Sequence, residues 1–381
     1  MSAELGPGSR VAITGGFGFL GWHTACRLRA LHGVIPVRLG RADLADPHRL
    51  SDQLDDVDAV IHIAGVNRAE SDDKVESGNV QAAEALAAAF SKLQKPVPVA
   101  YANSIQADAD TPYGRGKAAA AQILRKVTTG NFANVLLPNL FGEHGLPAYN
   151  SFVATFAYEI AHGRAPKVVN DKQVPLLHAQ LAAEELIGAI QGGQSGEIRP
   201  IGEPHGVSEV RDRLAEIAQV YSTGEVPRLS TDFEVDLFNT YRSYRFPHSY
   251  PIQPDVHSDP RGELFEAARS HGGTSQVFAS TTRPGQGRGD HYHLRKMERF
   301  MIIKGDAEIN LRRLLHDDVI TYRLSGDSPA FVDMPTFWVH NLRNVGEEEL
   351  VMLFWSDQLL DPEHPDQYQE QVDIDRTGAG V

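Results

Sequence analysis

The chain has a single cysteine, Cys26, among 381 residues. One thiol can neither close an intrachain disulfide nor build a cysteine-based zinc knuckle, and it fits a reducing cytoplasm. Basic residues are in deficit: 36 Lys and Arg stand against 50 Asp and Glu, a formal charge of −14. An acidic surface of that size excludes non-specific binding to nucleic acid or to anionic membranes, though not a local basic pocket for a phosphate ligand. Apolar runs are short, well below the roughly 18 residues of a bilayer span. Met1 to Arg10 lacks a basic segment followed by an apolar one. Neither a membrane helix nor a signal peptide is expected. Internal repeats and low-complexity tracts are missing too.

What is present reads as two soluble domains. Hydrophobic residues make up 41% and charged residues 23%, ordinary values for a globular chain, which excludes disorder. From Arg10 to about Gly206, β-branched or aliphatic runs ("RVAIT", "DAVIHIAG", "VPVAYAN", "ANVLLPN") alternate with stretches carrying Ala, Leu and charge at helical spacing. That alternation predicts βαβ units and a parallel sheet. Ser208–Val220 reads as a further helix. Around 240–260, "NTYRSYRFPHSYPIQPDVHSDPRG" crowds Pro, Ser, His and Tyr without periodicity and predicts a linker or an arm crossing between domains. Short strands with frequent turn signals follow, and predict a small antiparallel barrel or jelly roll. The expected domains are 1–248, α/β and Rossmann-like, and 249–381, all-β, with the last few residues fraying.

Within the first half, "VAITGGFGFLG" spaces Gly15, Gly18 and Gly21 after a strand and into a helix. Glycine allows the tight turn and lets backbone N–H groups approach a pyrophosphate at the helix N-terminus, with Phe19 and Leu20 in the same segment. The next strand ends in Arg38. An NAD site usually has Asp or Glu there, whereas Arg38 and Arg41 can pair with a 2′-phosphate, so NADPH is the expected cofactor. Asp43 and Leu44 could reach the adenine edge, and Ala64 and Gly65 could flank the cofactor. Farther on, "NSIQADADTPYGRGK" carries Ser104, Tyr113 and Lys117. Pro112 suits the first helical position, so Tyr113 and Lys117, four apart, share a helix face. A phenol is a poor acid–base group at pH 7, and a nearby ammonium is expected to lower its pKa. Ser104 can hydrogen-bond both the substrate carbonyl and Tyr113.

This half resembles the extended, nucleotide-sugar-modifying branch of the short-chain dehydrogenase/reductase superfamily over about residues 8–245. Two departures stand out. The nine-residue interval from Ser104 to Tyr113 is short, and the region after Asn139 is compact. "LPNLFG" looks like the family's segment after its sixth strand, which makes Asn139 a candidate cofactor or substrate contact, with Arg68 and Asn150 as further substrate candidates.

In the second half, "GQGRGDHYHLRKMERFMIIKG" reads G-x5-H-x-H-x4-E-x6-G, and "PTFWVHNLRN" reads P-x4-H-x3-N. His291 and His293 alternate by two and so point to one face of a strand. Glu298 can return on a neighbour and His340 on another. Three imidazoles and one carboxylate suit zinc, iron, manganese or nickel, with zinc foremost. These elements resemble the cupin motifs, with Phe337 where the second motif commonly has glycine.

A short nucleotide-sugar reductase joined to a cupin resembles the CapF-type bifunctional enzymes of capsular polysaccharide biosynthesis, along nearly the whole chain. The resemblance implies a nucleotide-linked 4-keto-6-deoxy amino sugar as substrate, UDP-2-acetamido-2,6-dideoxy-hexos-4-ulose. It implies C3 epimerisation in the cupin, then reduction of the C4 ketone with NADPH to a 2,6-dideoxy-L-talose-type product. It also implies a cytoplasmic homodimer. The residues allow this chemistry, since a C3 proton lies α to the C4 ketone. Tyr292, Lys296 and Lys304 are equal candidates for the base. Three points stay open at the level of sequence: UDP or dTDP, the metal, and whether the barrel is catalytic, merely structural, or part of a sugar-sensing protein.

Overall fold

The computed structural model describes residues 5–93 and 95–373. The expected fraying of the last few residues lies outside them. Contacts divide the chain into two compact units. One runs up to Phe152 and resumes at Val168–Val207, and the other combines Val153–Lys167 with the chain from Ser208 onward.

In the first unit, strands β1 (Arg10–Thr14), β2 (Ile35–Leu39), β3 (Ala59–His62), β4 (Val99–Ser104) and β5 (Phe132–Leu137) join Gly196–Ile198 in a six-stranded sheet. Its order is β2-β1-β3-β4-β5 and then Gly196–Ile198, and every pairing is parallel. The strands are near-continuous apolar runs because helices cover both faces. Val11, Ala12, Ile13, Val60, Ile61 and Val135 have no exposed surface. The order reverses between β1 and β3. A crevice at the carboxyl ends of the strands belongs at that reversal. A small three-stranded sheet, Asn139–Phe141, Gln173–His178 and Glu203–Gly206, completes this unit.

The barrel of the second unit consists of two antiparallel sheets. Gln276–Thr282, Leu350–Ser356, Glu298–Lys304 and Phe331–Met334 form one. Val319–Ser325, Asp306–Arg313, Trp338–Asn344, Gly287–Tyr292 and Tyr368–Gln369 form the other. Phe300, Ile302, Val332 and Met352 of the first sheet share a core with Ile309, Leu311 and Leu342 of the second. The expected α/β half and all-β jelly-roll half are thus both present. Among the described residues no helix is long and apolar enough to cross a membrane.

The stretch read as a linker is different. Helix Asp232–Arg245 runs into it, and Phe246 and Tyr250 join the barrel core. The reason is a buried polar network that composition does not reveal. Arg299 grips Asp333 at 2.6 and 2.9 Å, and the Tyr221 hydroxyl donates to the same carboxylate and meets that of Tyr250. Arg242 donates to the Met334 carbonyl at 2.7 Å. Tyr221 and Arg242 lie on helices Val207–Tyr221 and Asp232–Arg245, so those helices supply partners that the barrel's buried charges need. The chain from Ser208 onward accordingly shares one compact unit with Val153–Lys167.

Candidate active site and metal centre

Gly15 has φ 70°, and a Cβ on it would stand 2.9 Å from the Ala64 nitrogen. A Cβ on Gly21 would stand 2.2 Å from the Gly15 carbonyl oxygen, so helix Phe19–His32 can start against the turn only without a side chain there. Leu20 is buried and Phe19 half-buried in its first turn, and Gly18 is the N-cap. Sequence spacing overlooked Gly16, where a Cβ would come within 2.8 Å of the Arg38 Cβ. Arg38 lies in β2 opposite Ile13, with its guanidinium 4.6 Å from the centre of the Phe17 ring. Arg41 is exposed at the start of the short helix Arg41–Ala45. The Asp43 carboxylate accepts from the Gly40 N–H at 2.7 Å and pairs with Arg49 at 2.6 Å, and Leu44 packs on the core. Both side chains therefore shape the loop after β2.

Across the crevice, Thr14 ties β1 to β3. Its hydroxyl accepts from the N–H groups of Ile63 and Ala64 at 3.2 and 3.3 Å and lies 2.7 Å from His62 Nδ1. With both lone pairs occupied, the hydroxyl proton goes to Nδ1, which leaves the ring proton of His62 on Nε2. Burial, aided by the Lys117 charge, pushes the His62 pKa down to about 3, so the ring stays neutral. Gly65 packs so closely on Asn79 that a Cβ would meet its Oδ1 at 2.6 Å. Asn79 in turn accepts from Val66 N–H and donates to Val66 O, which fixes the turn that holds Ala64 and Gly65.

Ser104 is the last residue of β4. Thr111 caps the next helix, Pro112–Val127, by accepting from Gly114 N–H at 3.0 Å, and Pro112 occupies its first position. The cap delivers Tyr113 to Ser104, which is close enough to lower the phenol pKa against burial. The expectation that Lys117 lowers the phenol pKa is corrected here. Burial pushes Tyr113 up to about 12 and Lys117 down to about 7. The Lys117 amine donates to the Ala102 carbonyl at 2.6 Å and lies 4.3 Å from the centre of the Tyr101 ring. Desolvation outweighs the proximity of the pair. Arg68 donates to Asn150 Oδ1 at 3.1 Å and lies over the Tyr149 ring, and Tyr149 is close enough to act on Tyr113. Arg68 and Asn150 are thus brought to Tyr113 through Tyr149, which carries no motif of its own. Asn139 opens the separate strand Asn139–Phe141.

The buried lysine has a consequence for stability. Its folded pKa, about 7, lies below its ordinary 10.5. Below pH 7 both states hold the proton and the burial cost is present in full. Between about 7 and 10.5 only the unfolded chain holds it, so stability rises with pH. In the cofactor-free protein this group should add up to roughly 1.4 kcal/mol per pH unit over that window. Lys117→Met should remove the slope and be the more stable protein below pH 7 in urea denaturation. Parallel pH curves for the two proteins would refute the assignment.

In the second unit, strand Gly287–Tyr292 is bulged between Gly289 and His291, with His291 opposite His340. A Cβ on Gly289 would meet the His340 carbonyl oxygen at 2.8 Å, so the strands close only on glycine. Asp290, at φ 60°, accepts from Asn341 and from the Val372 N–H, which holds the bulge. The strand ends one residue before His293, so the two histidines converge by bulge and turn as well as by alternation. Nδ1 of His293 lies 2.6 Å from the Asp366 carbonyl oxygen, and Nδ1 of His340 lies 3.0 Å from that of Trp338. A carbonyl only accepts, so both Nδ1 atoms carry the proton and both Nε2 atoms present lone pairs. Burial keeps His340 neutral, with its pKa pushed down to about 4.

The buried Nε2 atoms of His291, His293 and His340 make no hydrogen bond. They face Glu298 Oε2 at 3.6, 3.2 and 3.7 Å, and one donor atom from each of the four residues lies within 4.8 Å of the others. Three imidazole nitrogens, two of them with lone pairs fixed by their tautomers, converging on a carboxylate fit a divalent cation. Asp366 also accepts from the N–H groups of Leu294, Arg295 and Lys296. It thereby locks the segment between His293 and Glu298, a role no spacing rule predicts. Of the three residues offered for proton transfer, only Lys296 lines the cavity that opens on His291 and Glu298. Lys304 pairs with Glu348 at the surface, and Tyr292 is buried beside Tyr368.

Residues 11–202 match the NAD dependent epimerase/dehydratase family, and residues 257–368 match the polysaccharide biosynthesis C-terminal domain. The chain is 30% identical over 366 residues to UDP-2-acetamido-2,6-beta-L-arabino-hexul-4-ose reductase of Pseudomonas aeruginosa strain PA103, covering 94% of this chain and 98% of that protein. The spore coat polysaccharide biosynthesis protein SpsL of Bacillus subtilis strain 168 is 25% identical over 131 residues, 32% of this chain and 87% of that one. Among solved structures, the capsular polysaccharide assembling protein CapF of Staphylococcus aureus is similar with a TM-score of 0.59 and 28% identity, covering 95% of this chain and 100% of that chain.

Proposed function

The chain belongs to the NAD dependent epimerase/dehydratase family, in its two-domain CapF type, and from that premise we propose that it converts UDP-2-acetamido-2,6-dideoxy-hexos-4-ulose in two steps. The second unit epimerises C3, and the first then reduces the C4 ketone with NADPH to a UDP-2-acetamido-2,6-dideoxy-L-talose-type product. The coarser part, a nucleotide-sugar 4-keto reductase/epimerase of polysaccharide biosynthesis, follows from the relatives. The observation that supports the finer part is that each unit carries its own chemical set: Ser104 beside Tyr113 in one, and four converging ligand atoms beside a cavity in the other.

In the reduction, NADPH supplies hydride to C4. Ser104 orients the carbonyl oxygen, and Tyr113, protonated at neutral pH because its pKa is about 12, gives that oxygen its proton. Lys117, once drawn from the Ala102 carbonyl, holds the cofactor ribose. In the epimerisation, a divalent metal, zinc foremost, would be held by His291, His293, Glu298 and His340 and supply Lewis-acid stabilisation of the charge that develops when the C3 proton leaves. Lys296 is the group in the cavity wall that can accompany that proton. We take the working protein to be a cytoplasmic homodimer, which size-exclusion chromatography with light scattering tests.

The deciding experiment is incubation with UDP- and dTDP-linked 4-keto-6-deoxy sugars in deuterated water, with and without NADPH, and products read by NMR. Deuterium at C3 without NADPH, and a reduced C4 with it, are expected. No deuterium at C3 would leave a single-activity reductase. For the cofactor, NADPH is expected to be preferred over NADH, and joint Arg38→Ala and Arg41→Ala changes should erode that preference. One charge-assisted contact to the 2′-phosphate contributes roughly 1.5–3 kcal/mol. Equal use of NADH by the unchanged protein would end this reading of the two arginines.

A further inference from the structure

The cavity beside the four ligands has a volume of about 280 Å³, just under the roughly 300–1,000 Å³ of ordinary small-molecule pockets. That space takes a sugar ring but not a nucleoside diphosphate as well, so the rest of a sugar nucleotide must lie along the rim. Lys296 and Phe300 in the wall are buried, whereas Arg288 and Phe278 are exposed. Exposed arginines usually wander, but Arg288 is tethered. Its Nε donates to Thr282 Oγ1 at 3.0 Å, and its Nη2 donates to the Thr281 carbonyl. Those bonds leave the Nη1 donors and one N–H of Nη2 unused, and no carboxylate among the described residues pairs with the guanidinium. An oriented cation without a counter-ion, at the mouth of a cavity in a chain of charge −14, is built for an anion. Phe278 precedes Thr282 by four residues on the same strand, Gln276–Thr282, and so shares its face.

We infer that Arg288 and Phe278 form a nucleoside-diphosphate subsite, in which Arg288 binds the diphosphate of the substrate and Phe278 lies against the base. The inference rests on the reading of the barrel as the epimerising site. It is tested on the full-length, metal-loaded protein by C3 deuterium exchange without NADPH, with UDP, dTDP and uridine as competitive inhibitors. Arg288→Gln should raise KM for exchange and Ki for UDP by about tenfold to a hundredfold, with kcat and metal content little changed. It should leave Ki for uridine unchanged. Arg288→Lys should fall between, because it keeps the charge and loses the fork. Phe278→Ala should weaken uridine and UDP alike. If the unchanged protein exchanges C3 but Arg288→Gln keeps its Ki for UDP, the subsite is wrong and the epimerase reading stands. If the unchanged protein does not exchange C3 at all, the epimerase reading fails and takes the subsite with it.

Discussion

Substituting Tyr113 with Phe is expected to slow NADPH-dependent reduction by roughly 10²–10⁴-fold, the usual contribution of a positioned proton donor, while NADPH still binds. Tyr113 is held in the first turn of helix Pro112–Val127 by the Thr111 cap and Pro112, close enough to Ser104 for that residue to act on its hydroxyl. Phenylalanine removes only the oxygen, so the turn and the glycine cradle persist. Burial, which lifts the phenol to about 12, makes it a proton donor throughout the neutral range. NADPH binding by fluorescence titration separates loss of chemistry from loss of site. A variant that reduces ketone at the unchanged rate would remove Tyr113 from the mechanism.

Replacing His291 or His340 with Ala should have the opposite selectivity. Either change removes one of four converging ligands, so the metal should be lost and C3 exchange abolished, while NADPH binding stays nearly intact. The cradle residues and the four ligands belong to different compact units, each with its own core. Reduction should continue on the unepimerised ketone and give the other C3 configuration. Metal analysis, deuterium exchange and product NMR check the three parts. Exchange at the unchanged rate in a metal-free variant would leave the barrel without its proposed chemistry, and joint loss of both activities would point to one shared site.

Much of this could be read before any coordinates because it depends on short-range geometry. The intervals Gly15–Gly18–Gly21, Tyr113–Lys117 and His291–His293 are local: the first marks a turn into a helix, the helical period puts the second on one face, and strand alternation brings the third together with help from a bulge and a turn. Alternating strands and helices likewise announced the parallel sheet, and closely spaced turns the barrel. Residue type carries the chemistry proposed for each set: imidazole and carboxylate for a metal, phenol and amine for a carbonyl.

Tertiary structure decided the rest, where the controlling quantity was burial or a contact distant in sequence. Asp366 fixes the tautomer of His293 from 73 residues away, and Tyr149 joins Arg68 to Tyr113 without any motif. The helix through Arg242 reads as a linker until the Tyr221 hydroxyl and the Met334 carbonyl give its guanidinium a destination. The direction of the Tyr113 pKa could not come from a four-residue interval. The ammonium that would lower it is itself desolvated and turned to the Ala102 carbonyl. Desolvation belongs to the assembled core, since it depends on every atom that excludes water from a group, whereas spacing along one helix or strand belongs to the sequence alone.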